Sequence, residues 1–129
     1  MLLRRNFHLP SYNCVLCHGH DMETRDHLFF HCPFAVACWN YLCPRFAPVN
    51  NVHHNIKNLR TKLAVPFAFE IITAACWSIW KVRNDYIFNR VQPSLYRCRR
   101  IFIEEMNLVF HRAKRKSHVG LKDWIDSFL

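Results

Sequence analysis

Four soft metal donors fall within nineteen residues near the start of this chain: Cys14, Cys17, His27 and Cys32, spaced Cys-x2-Cys-x9-His-x4-Cys. A Cys-x-x-Cys turn aims two sulfurs at one point. A His and a Cys arriving from the next segment can close a tetrahedron around zinc. A shell of three thiolates and one imidazole leaves no open position for water, so one such zinc would be structural, which argues against metal-assisted hydrolysis. Its binding would itself be folding energy, on the order of 10–16 kcal/mol apparent in small finger peptides. The competing chemistry for Cys14-Val15-Leu16-Cys17 is a redox dithiol, which needs a strand before it and a helix opening at the second Cys. The approach Leu9-Pro10-Ser11-Tyr12-Asn13 is turn-like instead.

His31 is the rival to Cys32, because His27 and His31 are four apart and would share one helix face. That choice makes a two-Cys, two-His finger, which carries about 12 residues between its inner ligands. Only nine separate Cys17 from His27, so Cys32 is preferred. The spacing His-x4-Cys also occurs in short zinc knuckles, which bind single strands. His18 and His20 are expected to be loop histidines. Cys38, Cys43, Cys76 and Cys98 are expected to be small buried hydrophobes.

The elements that must position these groups are short at first. Residues 1–13 suggest the end of an element and a loop, and His18-Gly19-His20-Asp21 a tight turn. Thr24 can cap the helical segment that carries His27, with Leu28, Phe29 and Phe30 as its apolar contacts. Pro33 suits the first turn of a helix through Phe34, Val36, Ala37, Trp39, Tyr41 and Leu42, which Pro44 stops. Residues 46–65, with Pro48, Asn50-Asn51 and His53-His54, are expected to be a linker.

Pro66 then opens a helix with Phe69, Ile72, Cys76, Ile79 or Trp80, and Ile87 at helical spacing. Pro93 ends it and Ser94 caps the next. There Leu95, Cys98, Phe102, Met106, Val109 and Ala113 form an apolar stripe. Gly120 precedes an amphipathic tail of Leu121, Trp124, Ile125 and Phe128. The two long helices are expected to pair antiparallel across Asn89 to Pro93. Trp77 and Trp80 are expected to pack in the core rather than to stack bases.

The chain has 129 residues, 51% of them hydrophobic, enough for one domain or two small modules. Seven cysteines are an odd number, and Met1-Leu-Leu-Arg-Arg lacks an apolar signal region. Both favour a reducing, intracellular setting. The longest apolar run, Leu63 to Trp80, is broken by Pro66 and Glu70 and is shorter than the roughly 20 residues that span a bilayer, so no membrane partner is expected.

A net charge of +9 attracts polyanions, RNA or DNA first. The candidate nucleic-acid contacts are Arg4, Arg5, Arg97, Arg99, Arg100, Arg112, Lys114, Arg115 and Lys116. A solvated helix face explains the same charges equally well. The run His111 to Lys116 fits a patch for import into the nucleus, and fits a solvated helix end no worse.

Leu3-Arg4-Arg5, Cys14-Val-Leu-Cys17, Glu23-Thr24, His27-Leu-Phe-Phe-His-Cys32-Pro-Phe-Ala35 and Trp39 together resemble the reverse transcriptase zinc-binding domain of plant non-LTR retrotransposons. Trp77-Ser-Ile-Trp80-Lys-Val-Arg83-Asn84 through Phe88-Asn89 is similar to the helical segment that follows that domain. Family members carry more of the domain ahead of Leu-x-Arg-Arg, so the resemblance implies an N-terminally truncated form. It also implies a place between a polymerase and a ribonuclease H. No Asp-Asp pair of a polymerase occurs, and Asp85, Glu104, Glu105, Asp123 and Asp126 form no convincing ribonuclease constellation.

The sequence thus predicts a mainly α protein: a Cys-Cys-His-Cys zinc module at 1–45, a linker at 46–65, and a helical hairpin with basic face and tail at 66–129. The expected function is a retrotransposon-derived module with one structural zinc and weak non-specific nucleic-acid binding, without catalytic residues. The alternative is a zinc-stabilised helical remnant that docks a protein partner on exposed apolar stripes.

Overall fold

The computed structural model describes residues 13–17, 22–112 and 120–127. The chain is mainly α-helical, and among the described residues no strand occurs, only an isolated antiparallel bridge between Asn13 and Met22. A 3-10 turn, Val15–Cys17, and a π-helical turn, His27–His31, lead into α1 (Pro33–Leu42). Then come α2 (Val52–Leu63), α3 (Ala68–Asn89), α4 (Leu95–Arg112) and α5 (Leu121–Ser127).

Local chemistry explains most boundaries. Pro33 stands at the start of α1, where its missing N–H costs nothing. Ser94 Oγ accepts the Arg97 N–H at 3.1 Å and caps α4. The α3–α4 turn is made by Arg90 in the left-handed region at φ 55°, where its N–H returns to Tyr86 O. The two long helices pack against each other as the expected hairpin.

The stretch expected as a linker is instead built into the core. Asn51 caps α2 by accepting the His54 N–H at 3.1 Å. The buried Asn55 side chain bonds both the N–H and the C=O of Val49, each at 2.8 Å. Leu59 is fully buried. Polar composition concealed this helix, because little beyond Asn55 and Leu59 on it is fully buried.

Two buried clusters organise the molecule. The larger gathers Phe30, Trp39, Phe46, Leu59, Phe67, Ile71, Phe102, Met106, Leu121 and Ile125. Trp39 lies stacked on Phe30 and donates its indole N–H to Phe29 O at 2.6 Å. The smaller cluster contains Cys14, Leu16, Cys17, Leu28, Cys32, Ala35 and Cys38 of the N-terminal segment, closed by Ile79 and Val82 of α3 and Cys98 of α4.

The inward faces depart in places from the expected stripes. Phe69 is 57% exposed and Trp77 42%, so neither is core. On α3 the buried positions include Ile71, Ile72, Ala75, Ser78, Ile79 and Val82, on a side of the helix turned away from Phe69. Leu95 is exposed at the start of α4, while Cys98, Phe102 and Met106 are buried as expected. Ala113 and Phe128 lie outside the described residues.

Candidate metal centre

The two halves of the centre come from two tight turns. The 3-10 turn folds Cys14 and Cys17 inward, and the bridge from Asn13 to Met22 brings the next segment back beside it. Thr24 Oγ1 accepts the His27 N–H at 3.1 Å, as the capping expectation required. The Cys32 N–H then donates to His27 O at 2.6 Å, an i to i−5 bond that closes the π-helical turn. That bond ties the backbones of His27 and Cys32 together directly. Cys32 leaves helical geometry at ψ 133° and becomes the residue ahead of α1.

The result is a convergence of four ligand atoms, one each from Cys14, Cys17, His27 and Cys32, all within 4.8 Å of one another. Cys14 Sγ and Cys32 Sγ lie 3.8 Å apart, and Cys17 Sγ lies 3.3 Å from His27 Nε2. Zn–S bonds of about 2.3 Å at tetrahedral angles separate two sulfurs by about 3.8 Å. Three sulfurs are buried and the imidazole is half-buried. The donor set and its spacing therefore fit a divalent ion with soft ligands. His31 is not in the group; its Nε2 is buried and has no hydrogen-bond partner among the described residues.

The electrostatics of the sulfurs are consistent with a shared cation. Cys14 donates its thiol hydrogen to Cys32, and this bond together with burial pushes the Cys14 thiol far above its ordinary range. The same bond holds Cys32 below its ordinary value against the cost of burial, helped by the N–H groups of Phe34 and Ala35 at the start of α1. A divalent cation held by these residues would replace the bridging proton and would need both sulfurs as thiolates.

Residues 1–39 match the family model described as zinc-binding in reverse transcriptase. No curated protein and no solved structure matches the chain. The reverse transcriptase zinc-binding match ends at Trp39, inside α1, so it contains all four converging residues and stops short of the helical hairpin.

The hairpin grips this segment through a contact that spacing alone did not reveal. Arg83 on α3 donates to both carboxylate oxygens of Glu23, at 2.9 Å from Nε and 2.5 Å from Nη2. Arg83 is 3% exposed and Glu23 9%. The pair is a buried, two-pronged clamp beside the ligand-bearing turn. Its only sequence signal was the Trp-Lys-x-Arg-Asn motif, in which Arg83 stands next to Asn84 and also donates to it at 2.6 Å.

The basic candidates among the described residues all lie on α4. Arg97 pairs with the buried Asp85 at 2.6 Å, and Arg99 lies over the Tyr41 ring. Arg100 is exposed and pairs with Glu104 at 3.5 Å, and Arg112 is exposed at the end of α4. Burial alone would raise the Asp85 carboxyl, but the bond and charge of Lys81, the Arg97 charge and Asn89 hold it below its ordinary value. Arg4, Arg5, Lys114, Arg115 and Lys116 lie outside the described residues, as do His18, Gly19 and His20. No helix is long and apolar enough to cross a membrane among the described residues.

Proposed function

We propose that this chain is a retrotransposon-derived module organised by one structural zinc, with weak, sequence-independent affinity for nucleic acid and no catalytic activity of its own. The observation that carries the reading is the convergence of Cys14, Cys17, His27 and Cys32 within 4.8 Å, inside the segment matched by the reverse transcriptase zinc-binding family. Zinc is favoured over harder cations by three thiolates. With every donor supplied by protein, the ion organises structure and activates no water. Arg100 and Arg112, both exposed on α4, supply positive charge together with the other basic residues of the sequence.

Metal analysis of the purified chain should return one zinc per molecule, and Cys14→Ser should lower that ratio. A labelled RNA or DNA strand should bind with affinity that falls by about thirty-fold between roughly 50 and 200 mM salt, the drop expected for about three phosphate contacts. Salt-insensitive binding, or none, removes the nucleic-acid part and leaves the zinc part standing.

A second reading has its own support. Phe69, Trp77 and Phe88 are all exposed along α3, which suits a helical surface that docks a protein partner. Light scattering separates the two: a compact monomer at all concentrations counts against the docking surface.

A further inference from the structure

Cys38 on α1 and Cys98 on α4 take no part in the metal centre. Sixty positions apart in sequence, they meet with their sulfurs at 3.3 Å, Cys38 donating to Cys98. Both are buried, yet both line a cavity of about 450 Å3 between α1, α3 and α4, walled also by Tyr41, Ser78, Leu95 and Phe102. A disulfide needs about 2.05 Å between sulfurs, so closure asks for a movement on the order of 1 Å. We propose that Cys38 and Cys98 form a reversible disulfide site, oxidised by hydrogen peroxide admitted through this cavity, that staples the zinc-module helix to the hairpin. Because α1 starts one residue after Cys32, the staple holds the ligand-bearing segment in place independently of the metal.

Cys98 is the attacking thiol: its sulfur bonds one oxygen of hydrogen peroxide, the O–O bond breaks, and the departing hydroxide takes the Cys98 proton, so a sulfenic acid and one water form. Cys38 resolves it. Its sulfur attacks the sulfenic sulfur, the S–S bond forms, the S–O bond breaks, and the departing hydroxide takes the Cys38 proton as a second water. Two thiols are oxidised by two electrons and one peroxide is reduced to two waters. Cys38 takes the resolving role by position, its sulfur already 3.3 Å from that of Cys98. Cys76, pushed up to about 12 by burial, is poorly placed to compete.

The test treats the zinc-loaded full chain with stoichiometric hydrogen peroxide, then alkylates free thiols in denaturant and maps peptides without reduction. Metal content is followed in parallel. Fragmentation must separate Cys38 from Cys32 and Cys43. The expected result is a Cys38–Cys98 cross-link that forms before metal is lost and reverses with dithiothreitol. The oxidised chain should also melt higher, by on the order of 10 °C. In Cys38→Ala the cross-link should vanish and Cys98 should be trapped as a sulfenic acid by a dimedone-type reagent. Should that variant fail to fold, the wild-type map decides alone. Both thiols remaining alkylatable at peroxide levels that release the metal, or a disulfide among Cys14, Cys17 and Cys32 forming first, overturns the proposal.

Discussion

The ligand-bearing segment and the α3–α4 hairpin are both buried, but by different means. Around Cys14, Leu16, Cys17, Leu28 and Cys32 the interior is mostly thiol and small side chain. Around Ile71, Phe102 and Met106 it is built from large apolar side chains. On the zinc reading proposed above, the first region would draw much of its stability from coordination. The second depends on area removed from water. Contacts between them, Glu23 with Arg83 and Ile79 with the thiol cluster, decide how far loss of one region spreads to the other.

Removing the metal should have the largest effect. Chelation of the zinc-loaded chain is expected to strip on the order of 10 kcal/mol of binding energy from residues 13–42. Hydrogen exchange should show their amides losing protection while the middles of α3 and α4 keep most of theirs. Equal loss everywhere would mean the two regions are one cooperative unit. His31→Ala should leave zinc content unchanged, since that ring stands outside the converging group.

Next is the clamp. Arg83→Ala leaves the Glu23 carboxylate buried without a partner and is expected to cost about 3–5 kcal/mol, read by denaturant melts. The loss should be smaller in chelated protein, where the Glu23 segment is already loose. Leu59→Ala, on the helix that composition concealed, should cost about 2–5 kcal/mol with zinc content intact. A loss within noise would return residues 46–65 to the status of a linker.

The smallest effect belongs to Asp85. Its folded carboxyl is held below the ordinary value of 3.8, so it contributes stability above that pH and loses it as pH falls through the folded value. Partly exposed partners limit the contribution to about 1 kcal/mol. The stability gap between wild type and Asp85→Asn should be full at neutral pH and shrink below pH 3.8.

Features that depend on neighbours in sequence were readable without coordinates. Thr24 before His27, Pro33 at the start of α1 and Ser94 before α4 act over three or four residues, where backbone geometry leaves few choices. What escaped was of two kinds. Phe69 and Trp77 were expected inside because periodicity gives a helix face but not which face a neighbour covers. Glu23 with Arg83, and Cys38 with Cys98, each join residues sixty apart, and no spacing rule reaches that far.

The sequence by itself determined that four soft donors lie close enough in one short segment to share an ion, and that two long helices follow. Only the tertiary structure decided which of two adjacent donors, His31 or Cys32, turns toward the other three. It also decided which face of α3 is wet, and that α2 belongs to the core. The reason is physical: ligand spacing and capping are set by local backbone geometry, whereas facing and pairing depend on what other segments bury against each side chain.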